Sequence, residues 1–252
     1  AAGTPWLGAL FVVGIVPVAL ILVRPDPEAE GWAPDGIRRQ VGEVPPPPSG
    51  VPFAEAIRTR FFIATTAGFL LAFGAQVGGI QQLVKLVEDR TDERTAQLAV
   101  TTIAGTSVIA RLIGGRVAQR VAMMRLTVVL VVAQSAALLV IGLAGSTWLL
   151  FAAIVCFGAT VGNILMLQPL LMAERFGVRD YPRIFSRTQL IAITGTAGGP
   201  LLLGALYDAA GSYRVPYAVA AACSLAGAVV LAAGGPATVV ADGADGADRH
   251  RS

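Results

Sequence analysis

The sequence predicts an all-α membrane protein with seven transmembrane helices, six of them arranged as two inverted three-helix repeats. Three observations carry that expectation. The chain has 252 residues, of which 55% are apolar and only 14% charged, whereas soluble domains carry about 25% charge. Its apolar residues fall into seven runs, each long enough to cross about 30 Å of hydrocarbon as a helix. A segment of the second run then recurs in the fifth.

The runs lie near residues 6–23, 61–83, 98–115, 126–143, 148–172, 188–207 and 215–233. Lipid offers no partner to an exposed backbone amide, so continuous apolar runs become helices. They lack the polar alternation of a membrane barrel. No basic residue precedes the first run and Arg24 follows it, which excludes a signal peptide and turns its C-terminal end to the cytoplasm. Alternation from there puts fourteen arginines on the cytoplasmic side. Four basic residues (Lys85, Arg90, Arg94, Arg214) lie outside, and Arg111 alone lies within a run. This asymmetry implies a multi-pass protein of the plasma (inner) membrane with a cytoplasmic C-terminus.

Residues 1–23 thus hold one helix and residues 24–60 a cytoplasmic linker. The tetraproline Pro45–Pro48 makes that linker too proline-rich for a packed domain. Its end, 53–60, is expected to form a short amphipathic helix. Residues 61–235 carry a six-helix bundle. The low-complexity tail 236–252 is expected to be disordered.

The repeat is read directly from the residues. Phe73-Gly74-Ala75-Gln76-Val77-Gly78-Gly79-Ile80 recurs as Phe157-Gly158-Ala159-Thr160-Val161-Gly162-Asn163-Ile164, 84 positions later. Ile103-Ala104-Gly105-Thr106 is echoed by Ile193-Thr194-Gly195-Thr196. Three helices per unit is an odd number, so the second copy enters the bilayer from the opposite side. Inverted repeats of this kind occur in secondary transporters, with substrate near the repeat interface at mid-membrane.

The pattern resembles the C-terminal half of a major facilitator superfamily transporter, preceded by the last helix of the N-terminal half. The residues that carry the resemblance are the repeat, the linker end Phe53-Ala54-Glu55-Ala56-Ile57-Arg58-Thr59-Arg60 and the string Gly115-Arg116-Val117-Ala118-Gln119-Arg120. That string is similar to the family's Gly-x-x-x-Asp-Arg loop, with Gln119 in place of the acid. The resemblance implies half of a twelve-helix fold, alternating access to a small solute, and a partner in the missing N-terminal helices. A chain that starts Ala1-Ala2-Gly3 and crosses inward is expected to be a truncated one.

Arg111 is the sharpest chemical candidate. A guanidinium within an apolar span costs about 2.5–3.5 kcal/mol on insertion scales and usually faces a bundle interior or a watery cavity. Its planar fork suits a carboxylate. Ser107-Val108-Ile109-Ala110-Arg111 followed by Gly115 resembles the eighth helix of monocarboxylate and oxalate/formate-type carriers, where an arginine helps bind the anion. Monocarboxylate carriers have an acid four residues earlier. Ser107 stands there in this chain, which gives no support to proton coupling through that position. The bland alternative is an Arg111 that snorkels to the headgroups from four residues before Gly115.

Gln76 and Asn163 are candidate cavity groups, with interhelical hydrogen bonds an equal alternative. Gly74/Gly78 and Gly158/Gly162 have the spacing of close helix crossings. Gly199 and Pro200 suit a packing contact or a hinge. Gly115, Gln119 and Arg120 form the candidate gating loop.

Other classes find little foothold. The net charge of +3 is explained by basic loops beside membrane helices, so no nucleic-acid partner is expected. Cys156 and Cys223 lie in apolar runs and read as small hydrophobes, and His250 is in the tail. No metal set, phosphate-cradling loop or Ser/His pair is present, so no cofactor and no enzyme activity are expected. The partners are lipid and a small solute. The rival reading is a seven-helix receptor or scaffold that transports nothing. It leaves the repeat unexplained, and the last run lacks a lysine for a retinal Schiff base.

Overall fold

The computed structural model describes residues 12–20 and 49–237. Residues 12–20 are helical (α1), within the first expected span. The linker up to residue 48 and the tail from residue 238 lie outside the described residues, and so do the expectations placed on them.

Residues 49–237 form their own unit. It comprises α2 (Phe53–Ala56), α3 (Arg60–Arg90), α4 (Glu93–Ala118), α5 (Met123–Leu143), α6 (Thr147–Phe176), α7 (Tyr181–Ala210) and α8 (Arg214–Ala233). Among the described residues six helices, α3 to α8, are long and apolar enough to cross a membrane. Most overrun the apolar runs at one or both ends, because polar residues continue the helices past the hydrocarbon. Side-chain caps mark the starts of α3, α4 and α6. Thr59 Oγ1 accepts from the Phe62 amide at 3.1 Å, and Asp92 Oδ1 from the Thr95 amide at 2.9 Å. Those bonds satisfy amides that an α-helix leaves unpaired in its first turn. The Thr95 amide also holds the Asp92 carboxyl below its ordinary range. Gly177 and Gly211, at φ 71° and 63°, end α6 and α7 in the left-handed region that glycine enters without strain.

α3 and α6 form the centre. Their apolar windows are 67% and 56% buried, against 22% for α4 and 17% for α7, so the last two are flanking helices. α3 packs on α7 and α8, α6 packs on α4 and α5, and α5 packs on α8. Exchanging α3 with α6, α4 with α7 and α5 with α8 returns the same set of principal contacts, as a two-fold repeat requires. Two further contacts fix its inversion. Arg90, at the end of α3, donates to the carbonyls of Ile141 (2.9 Å) and Gly142 (2.8 Å) at the end of α5. A cation there is favoured by the partial negative charge of the exposed carbonyls. On the opposite face Val51, ahead of α3, donates its amide to Phe176 O at the end of α6 (2.9 Å). α3 and α6 therefore run antiparallel.

α5 is joined to α3 and α8 by polar bonds inside the apolar core. Gln134 Nε2 donates to Ala72 O (3.0 Å) and Ser224 Oγ (3.1 Å), and Ser135 Oγ donates to Ala221 O (2.7 Å). Buried amides and hydroxyls need such partners.

The expected amphipathic segment 53–60 is a single turn, α2, and not a helix of eight residues. Its Phe53 amide donates to Asp180 Oδ2 at 2.9 Å, and the Arg183 guanidinium lies over the Phe53 ring at 5.2 Å. Gly50 pairs with Gly177 in an antiparallel bridge. The end of the linker is therefore strapped to the α6–α7 turn.

Candidate functional site

The two crossings related by the repeat differ in chemistry. At the α3–α7 crossing, Gly74 faces Gly195 and Gly78 faces Gly199. A Cβ added at Gly199 would meet the Gly74 carbonyl oxygen, and one at Gly195 would meet that of Leu70. Glycines let the two backbones touch. α7 runs unbroken through Pro200, so Gly195 and Gly199 serve packing here. Gly198 looks into open space.

At the α4–α6 crossing, Gly158 faces Ile103 and Gly162 faces Ser107. The contacts equate Ile103 with Gly195 and Ser107 with Gly199. That register differs by two residues from the Gly105/Gly195 echo in the sequence. A Cβ at Gly162 would lie 2.6 Å from Ser107 Oγ and 2.9 Å from Arg111 Cγ. A Cβ at Gly78, its counterpart, would meet Leu203 Cδ2 at 3.2 Å. One crossing therefore carries a cation and a hydroxyl where the other carries a leucine and a glycine.

Arg111 Nε donates to Gly162 O at 3.2 Å. Its two Nη groups have no partner among the described residues. Arg111 and Ser107 line a cleft of about 350 Å³ with Ile80, Leu83, Ile103 and Val161. Arg111 stands seven residues before the end of α4, about 10 Å along the axis at 1.5 Å per residue. Gly162 lies near the midpoint of α6. The Nε is thus held on a carbonyl near the middle of α6, while the residue as a whole is exposed.

The other sequence candidates divide. Asn163 is 5% exposed and donates Nδ2 to Ala110 O (3.1 Å) and Ala159 O (2.9 Å). Its Oδ1 would meet a Cβ at Gly114, so it sits between α4 and α6 beside Arg111 and does not line the cleft. Gln76, on α3, is 2% exposed, and its Oε1 has no partner among the described residues. It is not among the groups that line the Arg111 cleft. Gln119 is the C-cap of α4 and is exposed like Arg120, while Gly115 faces open space. Gly114 is the packed glycine of that pair.

One group escaped the sequence reading. The apolar runs hold no acid, but α6 continues to Phe176 and so includes Glu174.

Comparison with known proteins agrees with this architecture. The family model described as Major Facilitator Superfamily matches residues 85–247, more than half of the chain. Among solved structures, the E. coli fucose:proton symporter superposes with a TM-score of 0.63 at 16% identity, over 72% of this chain and 44% of that one. A peptide transporter, POT, in complex with sulfate gives 0.58 at 21% identity, over 68% and 37%. This chain thus spans less than half the length of either transporter. No curated protein matches it by sequence. At these identities the solved structures show the fold alone: six membrane-capable helices arranged as part of that transporter fold. Together with the family match they make the protein a multi-pass membrane protein, and the chain belongs to the major facilitator superfamily.

Proposed function

We propose that the chain is part of a secondary transporter that moves a small organic anion by alternating access, with Arg111 as the anchor of the anionic group. The observation that carries this reading is the placement of Arg111. Its Nε is held on a carbonyl near the middle of α6, and the residue lines a cleft together with Ser107 and an apolar wall. A guanidinium in an apolar span is costly, and a bound carboxylate offsets that cost through paired charge-assisted hydrogen bonds. Ser107 supplies a second donor of neutral character.

In this reading residues 1–23 are the last helix of an N-terminal half, 24–60 the cytoplasmic linker, 61–235 the C-terminal bundle and 236–252 a cytoplasmic tail. The exposed flanks of α4 and α7 then face the N-terminal helices, and rocking about the site opens it to either side of the plasma membrane.

The test is counterflow in proteoliposomes made with the chain and the helices that precede it. Vesicles preloaded with an unlabelled monocarboxylate or dicarboxylate are expected to accumulate the labelled anion transiently, without ATP. Accumulation of neutral solutes only, or no counterflow by any solute, contradicts the reading.

A further inference from the structure

The chain does not leave the protein where α8 ends at Ala233. Gly235, at φ 85°, turns the backbone, and Ala237 is then only 5% exposed, in the same apolar cluster as Met124 and Leu231. Gly235, Pro236 and Ala237 form one wall of a cavity of about 700 Å³ between the start of α5 and the ends of α6 and α8. Met123, Met124, Val128 and Val129 give it an apolar opposite wall, and the exposed Arg125 also lines it. It shares no lining residue with the Arg111 cleft.

The sequence that continues from Ala237 matches this cavity in order. Thr238-Val239-Val240-Ala241 carries no charge, and Asp242, Asp245 and Asp248 follow at every third position. Val239 and Val240 come two and three residues after Ala237, a reach of about 7–11 Å along an extended chain, and Asp242 reaches about 17 Å. Arg120, in the turn between α4 and α5, and Arg125, in the first turn of α5, are both exposed. Neither has an ion-pair partner among the described residues. An uncharged stretch followed by acids thus adjoins an apolar cavity followed by arginines.

We propose that the start of the chain's own tail docks in this cavity, with Val239 and Val240 against the α5 wall and Asp242 and Asp245 paired with Arg125 and Arg120. Tethering favours this occupant over any free one. Ala237 is already seated on the wall, so the residues after it are present at the millimolar effective concentration of a short linker. Only a few of them lose backbone freedom on docking. Removing two valines from water supplies the driving force, and the exposed charge pairs set direction more than strength. The docked tail is a strap that ties the candidate gating loop at Arg120 to the end of α8. It is independent of which solute the chain moves.

The experiment follows a single thiol on the cavity wall, Met123→Cys in a background with Cys156 and Cys223 replaced, as it reacts with a maleimide in micelles. Ending the chain at Ala237 removes no described residue. That truncation is expected to speed labelling about fivefold or more, since in the full chain only the undocked fraction reacts. Val239→Asp with Val240→Asp, in the full chain, is expected to match the truncation. Asp242→Asn with Asp245→Asn is expected to give a rise of about twofold, as surface ion pairs do, and about 1 M salt to reproduce it. Val178→Cys, outside the cavity, is expected to label at one rate throughout. Equal rates at position 123 with and without the tail overturn the proposal, because the cavity is then either empty or filled by lipid or detergent in both. So does protection that survives the two valine-to-aspartate changes, or indifference to both the asparagine pair and salt. A parallel rise at position 178 shows a general loosening in place of an emptied cavity, and the proposal again fails.

Discussion

Replacing Arg111 with alanine is expected to lower anion binding and counterflow by about two orders of magnitude, the scale of leaving one partner of a buried charge pair alone. Membrane insertion is expected to be unimpaired, since the change removes a residue that costs about 2.5–3.5 kcal/mol to place in a span. Arg111→Lys separates an anchor from an arginine that only seeks the headgroups. Lysine keeps the charge but loses the planar fork and the Nε donor that reaches Gly162 O at 3.2 Å. An anchoring role therefore predicts intermediate, weakened binding by the lysine variant. A headgroup-seeking side chain predicts that both variants transport normally. Unchanged anion counterflow by Arg111→Ala removes this residue from the site.

The second large effect is expected at Gly199, one α-carbon in a contact between two backbones. A methyl group there would meet the Gly74 carbonyl oxygen, which belongs to a buried helix and cannot swing aside. α7 must move off α3, and we expect Gly199→Ala to cost about 3 kcal/mol, the upper end of ordinary overpacking. Gly198→Ala is the control. It meets nothing within 4 Å and is expected to be neutral or to stabilise by about 0.5–1 kcal/mol, because alanine loses less backbone entropy in a helix. Reversible unfolding in mixed micelles reads both. Equal midpoints for the two variants would show that the α3–α7 crossing is looser than described.

Much of this architecture is legible in the sequence, and the parts that are not have physical causes. The repeat around Gly74 and Gly158 is visible because close backbone approach tolerates little besides glycine. Which helix each glycine meets is a tertiary matter. Gly158 touches Ile103 and Gly162 touches Ser107, and two flexible registers of small residues hide a shift of two positions. Helix ends are missed because hydropathy reports the hydrocarbon, whereas caps such as Thr59 and Asp92 report the backbone. Glu174 disappears from a search of apolar runs for the same reason. The strap at Gly50 and Gly177 joins residues far apart in sequence and leaves no local signature. Arg111 itself is conspicuous as the one charge within an apolar run. Its partner on α6, the Gly162 carbonyl, is visible only in the structure.

The central claim is that α3–α5 and α6–α8 are copies of opposite orientation. Thr91 lies in the turn that ends α3, and Val178 in the turn that follows α6. Single cysteines introduced by Thr91→Cys and Val178→Cys, in a background with Cys156 and Cys223 replaced, can be labelled with a membrane-impermeant maleimide in sealed cells. The account predicts labelling of the cysteine at 91 in intact cells and of the cysteine at 178 only after permeabilisation. Labelling of both positions from the same side would contradict it.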